Sequence, residues 1–424
     1  MSSFRRILVL WPLVTSLLAA ATAGDAPARE KAWAFVGAKV YPSPSAEPIR
    51  HGVVVVRGDR IAAVGTVDQG WPEDAERIDC RGRILVAGYW NAHVHFIEPK
   101  WDDAAGQPPE RLEAQLRQML TRHGFTTVVD VGSLVTNTVA LRQRIESGEV
   151  AGPRILTAGL PLYPAKGVPF YITESLPEEL VRQLPAPATP AEAAQLVARN
   201  FDAGADLLKL FLVTGVREQG IIVLKSMAPE IVAAAVAEAH QRDRLVFAHP
   251  STLHGVELAL AGGVDGLAHS IEDPQNWNAP LIARLRAADM TFVPTLTLFR
   301  QARDFPAILY QVKSYSDAGG RILYGTDVGY LTDYAAVERE IDWLGQAGLS
   351  FQQILATLTT NPAAEFGRSG ESGEIVVGAE ADLVLLGADP ADDVGALGHV
   401  LQTWRKGRLL YDALPTGPSL EPGG

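Results

Sequence analysis

Short apolar runs near both ends of the chain are separated by Gly and Asp, a pattern typical of strands joined by tight turns. On the N-terminal side, the runs are AWAFVGAKVY, GVVVVRGDRIAAVG and GRILVAGYW. On the C-terminal side, SGEIVVGAEADLVLLGADP and VLQTWRKGRLLYD show the same pattern. Because the two ends share this pattern, we expect them to pair in one small β-sandwich domain.

Between these ends, apolar runs alternate with amphipathic stretches of helical periodicity. For example, RLEAQLRQMLTRHG precedes TTVVDVG, and PEIVAAAVAEAHQRD precedes RLVFAHP. Such an alternation favours a parallel sheet with helices packed outside it. Since the alternation supplies a plausible eight strands, we predict an α/β fold with a (β/α)8 TIM-like barrel over residues 86–364. The β-sandwich domain would then comprise residues 24–85 and 365–424.

The first 23 residues have the layout of a secretory signal peptide. Arg5 and Arg6 precede an apolar run over residues 7–20, and the small residues 21–23 follow it. The run is shorter than the roughly 20 residues that a membrane-spanning helix requires. We therefore expect cleavage, export to the periplasm or the medium, and no stable membrane association afterwards. The arginine pair leaves both the Sec and the twin-arginine route open.

Composition excludes one class of partner. The chain has 49 acidic and 37 basic side chains, a net charge of −12 that repels phosphate backbones and argues against a nucleic acid. We expect a small-molecule substrate instead. The composition is compatible with a monomer and with a homo-oligomer. The single cysteine, Cys80, allows no internal disulfide, and we interpret it as an inert structural thiol.

Four histidines lie at the ends of apolar strands. His93 and His95 are two residues apart in GYWNAHVHF, so on a strand their imidazoles share one face, as joint metal ligation requires. His249 ends RLVFAHP and His269 ends DGLAHS, at the strand ends where barrel active sites are built. Each imidazole alone is compatible with a buried core histidine. Their common placement favours a metal site.

Two charged residues occupy similar positions. Lys209 interrupts the apolar strand ADLLKLFLV, where an ammonium carries a large desolvation cost unless it is paired, neutralised or modified. Extension of its side chain to the strand end is the simpler alternative. Asp327, in the run RILYGTDVG, also lies at the end of an apolar strand, where it is a candidate ligand or a helix cap.

Together these residues resemble the amidohydrolase superfamily, and within it the imidazolonepropionase-like and prolidase-like enzymes. The resemblance covers nearly the whole chain after the predicted signal peptide. The matching segments are RGDRIAAVG, GRILVAGYWNAHVHF, TTVVDVGS, DLLKLFLVTG, LVFAHP, GLAHS, LYGTDVG and LTTNPAAEFG, followed by GEIVVGAEADLVLL. The chain lacks the Gly-Gly-His run that prolidase-like members often carry after strand 3, so their substrate range is not carried over.

The resemblance implies a binuclear metal hydrolase. Two divalent ions would be held by the six candidates, with Lys209 carboxylated to a bridging carbamate. Four imidazoles favour zinc, although the carboxylate and carbamate oxygens would also admit manganese or cobalt. The implied ligands are His93, His95, Lys209, His249, His269 and Asp327. The implied nucleophile is a metal-bridging hydroxide, and Asp327 would carry its proton to the departing nitrogen.

Two other interpretations remain open. In the first, Lys209 stays unmodified and His93, His95, His249 and Asp327 hold one metal, as in a mononuclear deaminase or a cyclic-amide or lactone hydrolase. In the second, the protein is an exported binding protein without catalysis. The complete set of buried polar ligands argues against that interpretation.

For the substrate we expect a small amide, either a dipeptide or an N-acyl amino acid. The long irregular segment PLYPAKGVPFYITESLPEEL is typical of a lid or binding loop. Aromatic walls and cations for a terminal carboxylate are offered by several loop residues, any of which can instead simply cover the surface. These candidates are Tyr163, Tyr171, Arg217, Trp277, Arg300 and Tyr330.

Overall fold

A computed structural model of the protein describes residues 31–332 and 334–414. The predicted signal peptide, residues 1–23, lies outside the described residues. Within the described ranges, no helix combines the length and the hydrophobicity needed to cross a bilayer.

The strands of the described residues fall near both chain ends and in the middle of the chain. They are β1 (Ala32–Val40), β2 (Ile49–Arg57), β3 (Arg60–Thr66), β4 (Glu76–Asp79), β5 (Ile84–Ala87), β6 (Tyr89–Val94), β7 (Phe125–Asp130), β8 (Arg154–Thr157), β9 (Leu208–Phe211), β10 (Val213–Glu218), β11 (Ile221–Ser226), β12 (Val246–His249), β13 (Gly266–Ala268), β14 (Thr291–Val293), β15 (Leu383–Leu386), β16 (Val400–Arg405) and β17 (Arg408–Asp412).

Helices alternate with the central strands. They are α1 (Pro109–Met119), α2 (Val135–Glu146), α3 (Phe170–Thr173), α4 (Glu178–Val181), α5 (Pro190–Asp202), α6 (Pro229–His240), α7 (Leu253–Gly262), α8 (Ala279–Ala287), α9 (Phe305–Asp317), α10 (Ala336–Gln346), α11 (Phe351–Leu358) and α12 (Thr360–Glu365). Several begin with Pro in the first turn, where its missing N–H costs nothing. This mixture of strands and helices confirms the predicted α/β class.

The terminal strands form one sheet of eight strands in the order β17-β16-β15-β5-β1-β2-β3, with β4 parallel to β1. The C-terminal β15 pairs antiparallel with the N-terminal β5, and Leu385 lies opposite Leu85. Side chains of β2 alternate between two hydrophobic clusters, Val54 in one and Val53 in the other, because successive residues point to opposite faces. Strand β5 crosses the boundary predicted at residues 85 and 86. The sandwich arrangement and the domain limits stay predictions.

The central strands form two parallel sheets, β6-β7-β8 and β9-β12-β13-β14. Their edges are joined by backbone hydrogen bonds. On one side, Leu162 N donates to Lys209 O at 3.0 Å. On the other, the segment over residues 321–328 lies between β14 and β6, since Leu323 N donates to Phe292 O at 2.9 Å and Ala92 N donates to Tyr324 O at 2.7 Å.

The parallel strands are apolar on both faces. Val128 of β7 packs in the large cluster beneath the helices, whereas its neighbour Val129 packs in a small inner cluster. Most of the central strands supply a residue to that inner cluster, which contains Ala92, Val129, Val131, Ala158, Leu207, Phe247, Ala268, Val293 and Leu323. Burial on both sides explains why these strands read as continuous apolar runs. The few polar side chains of these parallel strands are therefore conspicuous, and the candidate ligands lie toward the carboxyl ends of the strands.

Candidate metal centre

The carboxyl ends of the parallel strands bring the six predicted ligands to one end of the sheets. His93 lies in β6 and His95 follows it, while Lys209 lies in β9. His249 is the last residue of β12, and His269 follows β13. Asp327 lies in the segment beside β6, where its N–H donates to His93 O at 2.9 Å. Functional sites of parallel α/β folds lie at this end of the strands.

The imidazoles form a contiguous cluster around the Asp327 carboxylate. Asp327 Oδ1 lies 2.9 Å from His95 Nε2 and 3.3 Å from His93 Nε2. The His93 and His269 ring centroids are 4.4 Å apart, as are those of His269 and His249. Ligand atoms of His93, His95 and Asp327 lie within 4.8 Å of one another, so these three can hold one metal ion.

Burial keeps most of the imidazoles neutral. It lowers the pKa of His93 to about 3, with the charge of Lys209 acting in the same direction. The pKa values of His249 and His269 also lie well below the usual value, again mainly because of burial. A neutral imidazole has a free lone pair, which is the form that binds a metal.

Lys209 is buried in the same cluster, with 1% of its surface exposed. Burial lowers its pKa from 10.5 to about 7, and the charge of Asp327 offsets part of that shift. No hydrogen bond or ion pair of the described residues involves its Nζ, which lies 5.6 Å from the centroid of the Phe211 ring. Near neutral pH, much of Lys209 is therefore a neutral amine, the form that reacts with carbon dioxide.

Two imidazoles are held by hydrogen bonds at Nδ1. His95 Nδ1 lies 2.9 Å from Gly132 O, and a carbonyl can only accept, so Nδ1 carries the proton. His269 Nδ1 lies 2.8 Å from Thr295 Oγ1, whose own hydrogen is donated to Pro294 O at 2.8 Å. Nδ1 of His269 therefore donates as well. Both rings are left with Nε2 as the metal-binding atom.

Other ring nitrogens in the cluster make no hydrogen bond within the described part of the chain. Both nitrogens of His93 and Nδ1 of His249 are buried without a hydrogen-bond partner among the described residues. Buried polar atoms nearly always have a partner. Four imidazoles, a carboxylate and a neutral amine form a donor set suited to divalent transition ions such as zinc. The residues present therefore fit a divalent metal.

The backbone at the site is held in an unusual conformation. Asp327 and His269 have φ angles of 61° and 103°, a region that non-glycine residues seldom occupy. Gly329 lets the Asp327 segment approach β6 closely, since a Cβ there would lie 2.0 Å from His95 O. Gly325 has the same role, because its Cβ would lie 2.8 Å from that of His93.

Asp130, the last residue of β7, contributes to the site indirectly. Its carboxylate accepts hydrogen bonds from Ser133 Oγ and Thr157 Oγ1, both at 2.7 Å, and from Gly132 N at 3.2 Å. The carboxylate thus fixes the turn whose Gly132 carbonyl accepts from His95.

Sequence reasoning missed two residues beside the cluster, Thr295 and Glu340. Thr295 could have been found from the sequence, because it lies just beyond the carboxyl end of the apolar strand β14, as the candidate ligands do in their own strands. Glu340 has none, because it lies in α10 and looks like any acidic residue of an amphipathic helix. Its carboxylate is fully buried and accepts hydrogen bonds from the turn that follows Thr295.

Three of the predicted substrate-binding residues lie beside the cluster. The ring of Tyr163 stacks on Phe211 at 4.8 Å, and Phe211 stacks in turn on His249 at 4.7 Å. Tyr330 follows Asp327 by three residues and contacts the ring of Tyr171 at 5.6 Å. These rings form an aromatic wall, defined here as Tyr163, Tyr171, Phe211 and Tyr330.

The other three have different surroundings. Trp277 is buried against Phe292, and its Nε1 donates to Ser314 Oγ at 3.0 Å, so packing accounts for its position. Arg217 lies on the hairpin β10–β11 and is paired with Glu174 at 2.6 Å, which neutralises its charge. Arg300 donates from Nη1 to Thr297 O at 2.9 Å.

Comparison with known proteins defines the class to which this site belongs. Residues 84–410 match the model of the amidohydrolase family, and the chain therefore belongs to that family. The match includes all six candidate ligands. The protein is accordingly a hydrolase of the amidohydrolase superfamily.

Individual relatives share about a quarter or less of their residues with this chain. In an alignment 431 positions long, which spans 89% of this chain and 85% of the relative, the chain is 22% identical to ochratoxinase of Aspergillus niger. It is 25% identical to imidazolonepropionase of Rhizobium rhizogenes over 403 residues, covering 86% and 94%. A solved Xaa-Pro dipeptidase with bound methionine superposes with a TM-score of 0.75 at 21% identity, covering 90% of this chain and 100% of that one.

Proposed function

We propose that the protein hydrolyses the carbonyl–nitrogen bond of a small amide, such as a dipeptide or an N-acyl amino acid, with the help of two divalent metal ions. The observation that carries the proposal is the buried cluster of four imidazoles around Asp327, some of whose ring nitrogens make no hydrogen bond to the described residues. The ligands would be His93, His95, Lys209 as its carbamate, His249, His269 and Asp327.

The fold supports this proposal. We propose that the parallel strands and the segment over residues 321–328 close into the (β/α)8 barrel of residues 86–364, because hydrogen bonds join the two parallel sheets at both edges. The terminal strands would form the accompanying β-sandwich. In such a barrel, the ligands lie at the carboxyl-terminal mouth, where substrate has access.

When bound, the divalent ions act as Lewis acids that polarise a carbonyl and make water acidic enough to attack near neutral pH. The protein itself supplies the proton carrier. Burial acts to raise the pKa of Asp327, but the adjacent imidazoles of His93 and His95 outweigh it and hold that pKa well below its usual value. Asp327 is thus ionised at neutral pH. Its carboxylate accepts the proton of the attacking water and delivers it to the departing nitrogen.

Binding of the apolar part of the substrate is assigned to the aromatic wall. Tyr163 and Phe211 continue directly from His249, and Tyr171 and Tyr330 lie beside Asp327. A flat or branched apolar group placed there would exclude water from the cluster. Exclusion of water strengthens every electrostatic interaction at the site.

A mononuclear deaminase or a cyclic-amide or lactone hydrolase is the second candidate. It is favoured by one observation, which is that the ligand atoms of His93, His95 and Asp327 lie within 4.8 Å of one another and can hold a single ion. In that case Lys209 stays unmodified and one ion suffices. The number of ions per chain and the substrates hydrolysed distinguish the two.

The test is a hydrolysis screen of the metal-loaded protein, with Asp327→Asn as the inactive control. The panel contains dipeptides, N-acyl amino acids, cyclic amides, lactones and an aminopurine. The proposal expects turnover of an amide that bears an apolar group. Turnover of only lactones or the aminopurine would favour the second candidate, and no turnover at full metal load would favour a binding protein.

We also propose that the protein is exported and processed near residue 24. The signal-peptide layout of residues 1–23 supports this proposal. N-terminal sequencing of the mature protein tests it, and an intact N terminus on protein from the cytoplasm would contradict it.

A further inference from the structure

The turn after β14 begins in a conformation that its own residues do not stabilise. Thr295 has φ 49° and ψ 52°, in the left-handed region that a β-branched residue rarely occupies. A short 3-10 helix, Leu296–Phe299, follows it directly. The N–H groups at the start of such a helix have no partner within the helix and require one from elsewhere.

Thr295 stands at the N-cap position of this short helix, where a threonine hydroxyl usually accepts the free N–H groups. Here its side chain makes no such bond. The hydroxyl instead donates to Pro294 O and accepts from His269 Nδ1, both at 2.8 Å. A second acceptor must therefore cap the helix.

Glu340, which is 0% exposed, supplies that acceptor from α10. Its Oε1 accepts from Leu296 N at 2.7 Å, and its Oε2 accepts from Thr297 N at 2.7 Å and from Thr297 Oγ1 at 2.8 Å. One carboxylate from a distant helix thus takes the place of the cap that Thr295 would otherwise provide. The Thr295 hydroxyl is released to face His269.

We propose that Glu340 is a positioning residue that sets the tautomer of His269 through Thr295. With Glu340 in place, Thr295 accepts from Nδ1–H of His269 and leaves Nε2 free for a metal ion. Without it, the Thr295 hydroxyl turns to cap its own helix, and His269 loses the partner that fixes its proton. The inference rests on the proposed function only in giving His269 a metal-binding role, since the effect on the tautomer is independent of any metal.

The primary measurement is the ¹⁵N NMR spectrum of histidine-labelled, metal-free protein, in which protonated and unprotonated ring nitrogens have different shifts. The His269 signals are identified by their absence in His269→Gln. In the parent we expect Nδ1–H. Glu340→Gln places an amide N–H₂ against the donors of the turn, so we expect loss of the single tautomer. Thr295→Val removes the hydroxyl and should do the same, whereas Thr295→Ser should retain Nδ1–H.

Metal affinity supplies a second measurement. Loss of a group that orients a metal ligand typically weakens metal binding about 10- to 100-fold. We expect that loss for zinc in Glu340→Gln and in Thr295→Val. The matched control is Glu338→Gln in the same helix, whose carboxylate is 53% exposed. Because Glu338 contacts His123 and not His269, the variant should leave the His269 signals and the zinc affinity unchanged.

An unchanged His269 tautomer in folded Glu340→Gln would overturn the inference, and so would Nδ1–H persisting in Thr295→Val. If Glu340→Gln does not fold, Glu340→Asp replaces it, because the shorter side chain cannot reach both N–H groups. Failure of the hydrolysis screen would leave this test unaffected, because the tautomer is measured without metal or substrate. If the His269 tautomer changes in Glu340→Gln but zinc binds with normal affinity, the tautomer does not control metal binding and the positioning role is refuted.

Discussion

Replacement of Lys209 by Met tests the buried amine directly, because Met has a similar length and carries no charge. Burial lowers the pKa of Lys209 from 10.5 to about 7. At pH values between 7 and 10.5, Lys209 is protonated in the unfolded chain but has lost its proton in the folded, metal-free protein. The stability of the parent should therefore rise as the pH increases from 7 to 10.5, and this contribution should be absent in Lys209→Met.

The size of the effect follows from the shift. At about 1.4 kcal/mol per pKa unit, Lys209 costs the folded protein about 4 kcal/mol at pH 7 and about 1 kcal/mol at pH 10. The difference in unfolding free energy between Lys209→Met and the parent should thus shrink by about 3 kcal/mol over this range.

The assay is urea unfolding of the metal-free proteins in buffers free of carbon dioxide, at several pH values from 7 to 10. Lys313→Met is the control, since Lys313 is 42% exposed on α9 and pairs with Asp317 at the surface. Its difference from the parent should vary little with pH. If the difference in unfolding free energy between Lys209→Met and the parent is equally independent of pH, the burial argument is refuted. Lys209→Met should also lose activity and at least one metal position.

Further predictions concern a catalytic, a structural and a supporting residue. Asp327→Asn should keep its fold and lower the maximal rate at least about 100-fold, because it removes the proton carrier; a rate within a few fold of the parent would exclude that role. Burial raises the pKa of Cys80 to about 12, so an alkylating reagent should modify it only after unfolding, and fast labelling of native protein would contradict this. Burial also raises the pKa of Glu340 from 4.5 to about 7, so its contribution to stability falls as pH rises through that range, and the stability difference from Glu340→Gln should change with pH.

The predictable part of the fold was the part with a strong local pattern. Continuous apolar runs marked the parallel strands, and the short β-branched runs at the two ends were correctly expected to pair, as β5 and β15 do. The boundary predicted at residue 85 falls inside β5, which continues to Ala87, and Gly88 separates that strand from β6.

The ligand candidates were also local signals. His93 and His95 share one strand face, and Lys209 is conspicuous in an apolar strand. Their partners were not local. Glu340 reaches the turn after Thr295 across more than 40 residues, a contact that no pattern in α10 indicates.

Loop residues were the least predictable. Trp277 looked like a wall of the site, but it packs against Phe292 of β14. Arg217 looked like a cation for a carboxylate, but Glu174 from the preceding loop neutralises it. In both cases a partner distant in sequence decides what the side chain can do.

The most direct test of the account is a metal titration of the chelator-treated protein, in the presence of bicarbonate, with amide hydrolysis as the readout. The account predicts negligible activity without metal, a rise as zinc is added, and a break at two equivalents per chain. A break at one equivalent would contradict the binuclear site, and full activity of the metal-free protein would contradict metal-dependent hydrolysis altogether.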